Sequence, residues 1–346
     1  MEFAALSELG WNRFFEQQLS AAEIDDYSPV RVAAHFGSRV LCQGVAGESS
    51  FPTSQLSRCG EVAVGDWLLI EPNTQRGLRC LERTSLISRK AAGEKVKAQL
   101  IAANLDTLFV VASCNHDFNL SRLERYLALA SDADVNIVVV LTKSDLCDDP
   151  DLLRQQAMQL KSGLIVETVD ARDPEQVTSL ADWCRHGQTV ALVGSSGVGK
   201  STLAMTMGAG SLATQSIRED DSKGRHTTTA RCLHRLNAGG LLLDTPGMRE
   251  LQLADCEEGV AEVVDEIVTL SAQCRFSDCL HQGEPGCAVQ AAIDAGELDL
   301  RRLKSFAKLQ SEQARNARSL REQRHESRKL GKFYKSVQKS KRDRLT

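Results

Sequence analysis

Thr189-Val190-Ala191-Leu192-Val193-Gly194-Ser195-Ser196-Gly197-Val198-Gly199-Lys200-Ser201-Thr202 is the stretch on which the fold turns. Five β-prone residues run into a glycine-rich turn, and the turn closes on Lys-Ser at the head of a helical pattern. Residues 194–201 match G-x-x-x-x-G-K-[ST] in the strand, turn and helix setting that gives the pattern its meaning. The glycines permit a tight turn whose backbone N–H groups converge on phosphate oxygens, aided by the positive end of the helix that follows. Lys200 is expected to reach the β- and γ-phosphates and Ser201, with Thr202 beside it, to hold Mg2+. The alternative is a Gly/Ser-rich turn that happens to end in a surface lysine.

Upstream, strands alternate with helices. Residues 107–112, 136–141 and 164–169 read as strands, 120–130 and 150–160 have helical spacing, and a further helix reaches Trp183. Such alternation implies a mainly parallel sheet covered on both faces. Residues 232–236 and 240–243 read as one antiparallel hairpin at the edge of that sheet. Between a helical leader and this region, residues 29–36, 39–45, 62–70 and 78–83 are short apolar runs broken by turns, the pattern of a small β-barrel for which an oligonucleotide-binding (OB) fold is a candidate. The expected organisation is an N-terminal extension (1–27), a barrel (28–95), an α/β nucleotide domain (96–262) and a mainly helical, metal-bearing domain with a basic tail (263–346).

Base choice is expected at Thr142-Lys143-Ser144-Asp145. A carboxylate at Asp145 accepts two hydrogen bonds from guanine N1–H and the 2-amino group, which adenine cannot offer, and the stem of Lys143 can lie along the ring. This resembles the N-K-x-D motif of GTPases with Thr142 in place of Asn, a change expected to loosen local bracing. Asp170-Ala171 sits where GTPases carry a Ser-Ala turn against the base, and Asp170 departs from that pattern. Downstream, Gly224-Arg225-His226-Thr227-Thr228-Thr229 lies where a switch loop would close over Mg2+, with Thr228 or Thr229 completing the metal shell. Asp244-Thr245-Pro246-Gly247 follows a strand, so Asp244 can contact the magnesium shell and the Gly247 N–H can sense the γ-phosphate. Base recognition here precedes the phosphate loop, the order of a circularly permuted GTPase. The second switch then runs directly into the C-terminal region through residues 248–271.

Cys274, Cys279, His281 and Cys287 give C-x4-C-x-H-x5-C, three thiolates and an imidazole suited to one closed, structural Zn2+. The other cysteines, such as Cys42, Cys80 and Cys232, lie singly in apolar runs and read as small buried hydrophobes. The 346-residue chain carries a net charge of −4, but residues 301–346 hold sixteen Lys and Arg against four Asp and Glu, a net +12, which leaves −16 for the remainder. A basic end on an acidic body points to a polyanionic partner. No apolar run is long enough to span a bilayer and the N-terminus lacks a secretion signal, so a cytoplasmic protein without membrane contact is expected.

TKSD, GSSGVGKS, GRHTTT and DTPG in that order, followed by CRFSDCLHQGEPGCAV and a basic tail, resemble the circularly permuted ribosome-associated GTPases called RsgA or YjeQ, over nearly the whole chain. The resemblance implies an OB barrel, a zinc-bearing C-terminal domain, binding to the small ribosomal subunit and its rRNA, and a role in late maturation of that subunit. A monomer using GTP/GDP, Mg2+ and one Zn2+ is the expectation. Met248 stands where many GTPases place a water-orienting Gln, so hydrolysis is expected to be slow without a partner. His226 can take a proton near neutral pH, and the resemblance points to the same residue as catalytic beside Lys200. The rival readings are a zinc metallochaperone GTPase and an RNA-binding protein that uses GTP only as a conformational lock.

Overall fold

The structure, a computed structural model, describes residues 4–90, 98–115, 117–209, 231–244 and 265–317. The leader forms three short helices, Ala4–Ser7, Arg13–Glu16 and Ala21–Asp26, the last held by a reciprocal Ser20/Glu23 cap. Its apolar residues Leu6, Leu9, Trp11 and Phe15 pack on Trp67, Leu69 and Leu81, with the Trp11 and Trp67 rings edge to face at 4.8 Å. Five antiparallel strands follow: β1 (Ser28–Phe36), β2 (Arg39–Gly44), β3 (Gly47–Pro52), β4 (Trp67–Glu71) and β5 (Arg76–Cys80), in the spatial order β3-β2-β1-β4-β5. A 3₁₀ segment, Thr53–Cys59, buries Leu56 and Cys59 in the same core. β3 was not expected. Its sequence, Gly-Glu-Ser-Ser-Phe-Pro, has no strand composition and is extended because every residue pairs with β2. A separate hairpin, β6 (Leu86–Lys90) and β7 (Ala98–Ala103), leads out of this unit.

The α/β sheet contains β8 (Thr107–Ser113), β9 (Asn136–Thr142), β10 (Ile165–Val169), β11 (Thr189–Val193), β12 (Arg231–Arg235) and β13 (Leu241–Asp244), in the order β10-β9-β8-β11-β13-β12. All neighbours are parallel except β12 and β13, so the sheet is mixed as expected. Alternation along β8 divides two cores. Leu108, Val110 and Ala112 face the helices Leu120–Asp132 and Pro150–Met158, whereas Phe109 and Val111 face the helices Pro174–Val177 and Lys200–Thr206. In Leu120–Asp132, Leu123, Tyr126, Leu127 and Ala130 recur at helical spacing on the buried face, each large one stabilising by roughly 1.5–3 kcal/mol.

The 232–243 hairpin forms, but not at a free edge. β12 pairs antiparallel with β1 (Ala34 with Cys232, His35 with Arg231), so the N-terminal and α/β strands make one continuous sheet of eleven. Pairing with a distant strand satisfies edge groups that the local sequence leaves open. A second joint is the fully buried Arg31, whose guanidinium donates to the carbonyls of Leu9, Gly65 (3.2 Å) and Asn104 (3.0 Å). The leader, the N-terminal sheet and the segment entering β8 thus share one cation. Burial brings its pKa down to about 10, countered by Asp106 and Asp66, so it stays charged near neutrality.

The C-terminal part contributes the helices Asp265–Ser271, Ala288–Asp294 and Leu300–Ala317. Phe306 and Leu309 are buried and Leu303 partly so, as the spacing implied. The last helix packs on Leu120–Asp132 through the fully buried Glu124, which accepts from Arg301 Nη1 (3.1 Å) and from the Ser305 hydroxyl. All ten described cysteines are free, and burial pushes the thiols of Cys42 and Cys184 up to about 12, which keeps them inert. Among the described residues no helix is long and apolar enough to cross a membrane.

Candidate nucleotide site and thiolate cluster

In an open α/β sheet the loops after the C-terminal ends of parallel strands converge on one rim. Here they are the loops after β8, β9, β10 and β11, and Asp244 closes β13 at the same rim because Ala191 of β11 pairs with Leu243. Gly194 opens the phosphate loop with φ +143°. A Cβ there would stand 2.1 Å from the Val111 carbonyl oxygen, so only glycine lets the loop leave β11 beside β8. Gly199, at φ +92°, precedes the helix that begins with Lys200. The Lys200 ammonium is buried and folded back on its own loop, donating to the carbonyls of Gly194 (2.7 Å) and Ser195. Ser196 and Gly197 are exposed at the tip, Val198 is buried beneath, and Ser201 is exposed in the first turn with Thr202 half-buried beside it.

Two hydrogen bonds join the Thr-Lys-Ser-Asp loop to this cradle. The buried Thr142 hydroxyl donates to the carbonyl of Val198 (2.5 Å), with the Ala112 carbonyl 3.2 Å away, and the Lys143 ammonium donates to the carbonyl of Gly197 (2.8 Å). The loosening expected from the loss of Asn is not what the structure shows, because a β-branched hydroxyl at the end of β9 reaches the phosphate loop directly. Lys143 adopts the left-handed conformation (φ 58°), which costs a non-glycine residue roughly 1–2 kcal/mol and turns the chain sharply toward Asp145. Ala171 is buried against the helix Lys200–Thr206, its carbonyl accepting from Thr206 Oγ1 at 2.7 Å.

Two arginines in this region carry no motif signature. Arg122, in the first turn of Leu120–Asp132, donates from Nη1 to the Ser195 hydroxyl (2.6 Å) and to Asp117 (2.8 Å). Arg172 bridges two carboxylates, with Nη2 2.7 Å from Asp145 Oδ2 and 2.9 Å from Asp170 Oδ2. Hydrogen bonds from the Arg172 side chain and backbone hold the Asp170 carboxyl below the usual carboxylate range, and Asp170 in turn raises the Arg172 pKa. The available signal for both was position, since each follows a strand end on the rim that also holds the phosphate loop.

Thus Thr142, Lys143, Asp145, Asp170, Ala171 and residues 194–202 lie together at this rim, and Asp244 ends the strand next to them. His226, Thr228, Thr229 and Gly247 lie outside the described residues, as do residues 248–264 and the basic tail beyond 317.

Away from this rim, Cys274, Cys279, His281 and Cys287 place one ligand atom each within 4.8 Å of one another. Cys274 Sγ lies 3.9 Å from Cys287 Sγ and 3.7 Å from His281 Nδ1, and Cys287 Sγ lies 3.4 Å from the same nitrogen. Metal–sulfur bonds of about 2.3 Å at tetrahedral angles separate sulfurs by about 3.8 Å, so the donor set fits one small tetrahedral ion. His281 Nε2 meets the Ser271 hydroxyl at 3.0 Å, the outer hydrogen bond that fixes a ligating ring.

The sequence profile of the RsgA GTPase family matches residues 80–254, just over half of the chain. The small ribosomal subunit biogenesis GTPase RsgA 2 of Vibrio parahaemolyticus is 52% identical over 340 residues, covering 98% of this chain and 94% of that protein. The chain belongs to the RsgA GTPase family. The small ribosomal subunit biogenesis GTPase RsgA of Mesorhizobium japonicum is 47% identical over 317 residues, covering 90% of this chain and 91% of its own length. The fold matches a crystal structure of YjeQ from Thermotoga maritima (TM-score 0.58, 23% identity, 82% of this chain and 97% of that one). It also matches YloQ, described as a circularly permuted GTPase (TM-score 0.57, 22% identity, 84% and 97%). A member of this family is a GTP hydrolase that works with a guanine nucleotide and Mg2+.

Proposed function

We propose that this GTPase acts in late maturation of the small ribosomal subunit, binding the subunit in its GTP state and being stimulated by it to form GDP and phosphate. The observation that carries the reading is the pair of hydrogen bonds from Thr142 and Lys143 to the phosphate loop, which joins a carboxylate suited to guanine to a cradle suited to phosphates. The relatives' names supply the ribosomal part.

In the mechanism we infer, Asp145 accepts from guanine N1–H and the 2-amino group, Lys143 lies along the base and Ala171 lines its edge. Lys200 exchanges the carbonyls of Gly194 and Ser195 for the β- and γ-phosphates, which it neutralises as the bond to the leaving oxygen breaks. Residues Gly194, Ser195, Ser196, Gly197, Val198 and Gly199 wrap the phosphates through their backbone, with Thr202 at the helix start. The hydroxyl of Ser201, one of Thr228 or Thr229, and the carboxylate of Asp244 would hold Mg2+, which supplies charge neutralisation at the phosphates. Gly247 reports the γ-phosphate, and His226 orients the attacking water in place of the glutamine that Met248 replaces.

The same reading assigns Zn2+ to Cys274, Cys279, His281 and Cys287, an OB fold to β1–β5, and rRNA phosphates to the basic tail and barrel. The chain would work as a cytoplasmic monomer. Multiple-turnover phosphate release with and without purified small subunits tests the function. At least tenfold stimulation is expected, roughly 1.4 kcal/mol off the barrier. Turnover indifferent to the subunit would refute the proposal, and no turnover at all would favour a conformational lock.

A further inference from the structure

Resting on the assignment of Asp145 to guanine, we infer that Arg172 is a second base-reading residue, donating to guanine O6 while Asp145 accepts from N1–H and the 2-amino group. The guanine edge presents, in sequence, an acceptor at O6, a donor at N1 and donors on the exocyclic amine. Asp145 alone answers only the donors. Arg172 places a fixed cationic donor beside that carboxylate, with Nη2 2.7 Å from Asp145 Oδ2. Arginine forks are suited to guanine O6, and a charged donor strengthens the bond.

The guanidinium is held by Asp170 rather than drifting on the surface. Asp170 Oδ1 accepts from the Arg172 backbone N–H (2.9 Å) and from Nε (3.0 Å), and Oδ2 accepts from Nη2 (2.9 Å). Asp170 is itself fixed, its N–H donating to Gln176 Oε1 at 2.9 Å. Nη1 has no acceptor among the described residues, so the grip leaves two N–H groups for a ligand. As a simple ion pair this contact would do little, because the Arg172 side chain is 67% exposed. An exposed arginine clamped at three points by one carboxylate and aimed at a second is arranged to present a donor. The departure of Asp170 from the Ser-Ala pattern then has a function: it positions Arg172.

Equilibrium affinities of the full chain for GDP, 6-thio-GDP, IDP and XDP test this. 6-Thio-GDP keeps N1–H and the amine but offers a weak acceptor at position 6, whereas IDP keeps O6 and lacks the amine. Wild type should favour GDP over 6-thio-GDP by about tenfold, ~1.4 kcal/mol. Arg172→Ala should weaken GDP binding by about that factor and nearly abolish the preference, leaving the GDP to IDP ratio unchanged. Arg172→Lys, which keeps the charge but loses the fork, should recover part of the affinity and little of the discrimination. An undiminished preference in Arg172→Ala, or tighter GDP binding because the guanidinium merely covers Asp145, would overturn the inference. Asp145→Asn should shift preference from GDP toward XDP. If that shift is absent the base site itself is misplaced, a failure distinct from an Arg172 effect that is missing while the shift is present.

Discussion

The hydroxyl of Thr142 holds two loops together from a position with no solvent exposure. Thr142→Val keeps the shape and leaves the Val198 carbonyl without that donor, at a cost of about 1–3 kcal/mol for an unsatisfied buried group. The expected result is a lower urea midpoint and weaker GTP binding, because the cradle and the base loop lose their tie. A valine variant with wild-type midpoint and GTP affinity would show the bond to be incidental. At this scale the phosphate loop and Asp145 were legible because their chemistry is local in sequence. Arg172 and Arg122 were not, since an arginine in a polar loop or a first helical turn looks like any solvated cation until the rim brings it to Asp145 or Ser195.

Among the elements, the helix Leu120–Asp132 meets both the phosphate loop and the C-terminal part. Arg122 touches Ser195 at one side, and Glu124 accepts from Arg301 and Ser305 of the last helix at another. Arg302 adds an ion pair to Glu266 (2.5 Å) and hydrogen bonds to the carbonyls of Gln159 and Leu160, so the C-terminal helices are docked through polar groups. The turns from 272 to 287 have little core of their own, and the Zn2+ proposed at the Cys/His cluster would hold them. A strong chelator should release about one zinc per chain and expose residues 271–295 to protease and hydrogen exchange, while β8–β11 stay protected. Unchanged protection after metal removal would show that this segment folds without an ion. The cluster and the amphipathic last helix were readable from spacing. β3 was not, because its pairing with β2 overrides a composition typical of a turn.

For the whole molecule, the order of motifs revealed the permutation because each motif marks one strand end irrespective of its neighbours. How the N-terminal sheet and the α/β sheet join was illegible, since the β1 to β12 pairing spans about two hundred residues and rests on backbone groups common to any sequence. That continuous sheet joins the N-terminal strands to β12, and Arg31 adds a second link through the carbonyls of Leu9, Gly65 and Asn104. The C-terminal helices dock on the opposite side of the helix that touches the phosphate loop. The helix Leu120–Asp132 thus links the phosphate loop to the last described helix. On the proposed function, nucleotide state sets the grip on the small ribosomal subunit. Co-sedimentation of the full chain with purified small subunits, loaded with a non-hydrolysable GTP analogue or with GDP at constant salt, tests it most directly. Retention with the analogue and release with GDP are expected, differing by at least about tenfold in affinity. Equal retention in both states would contradict it.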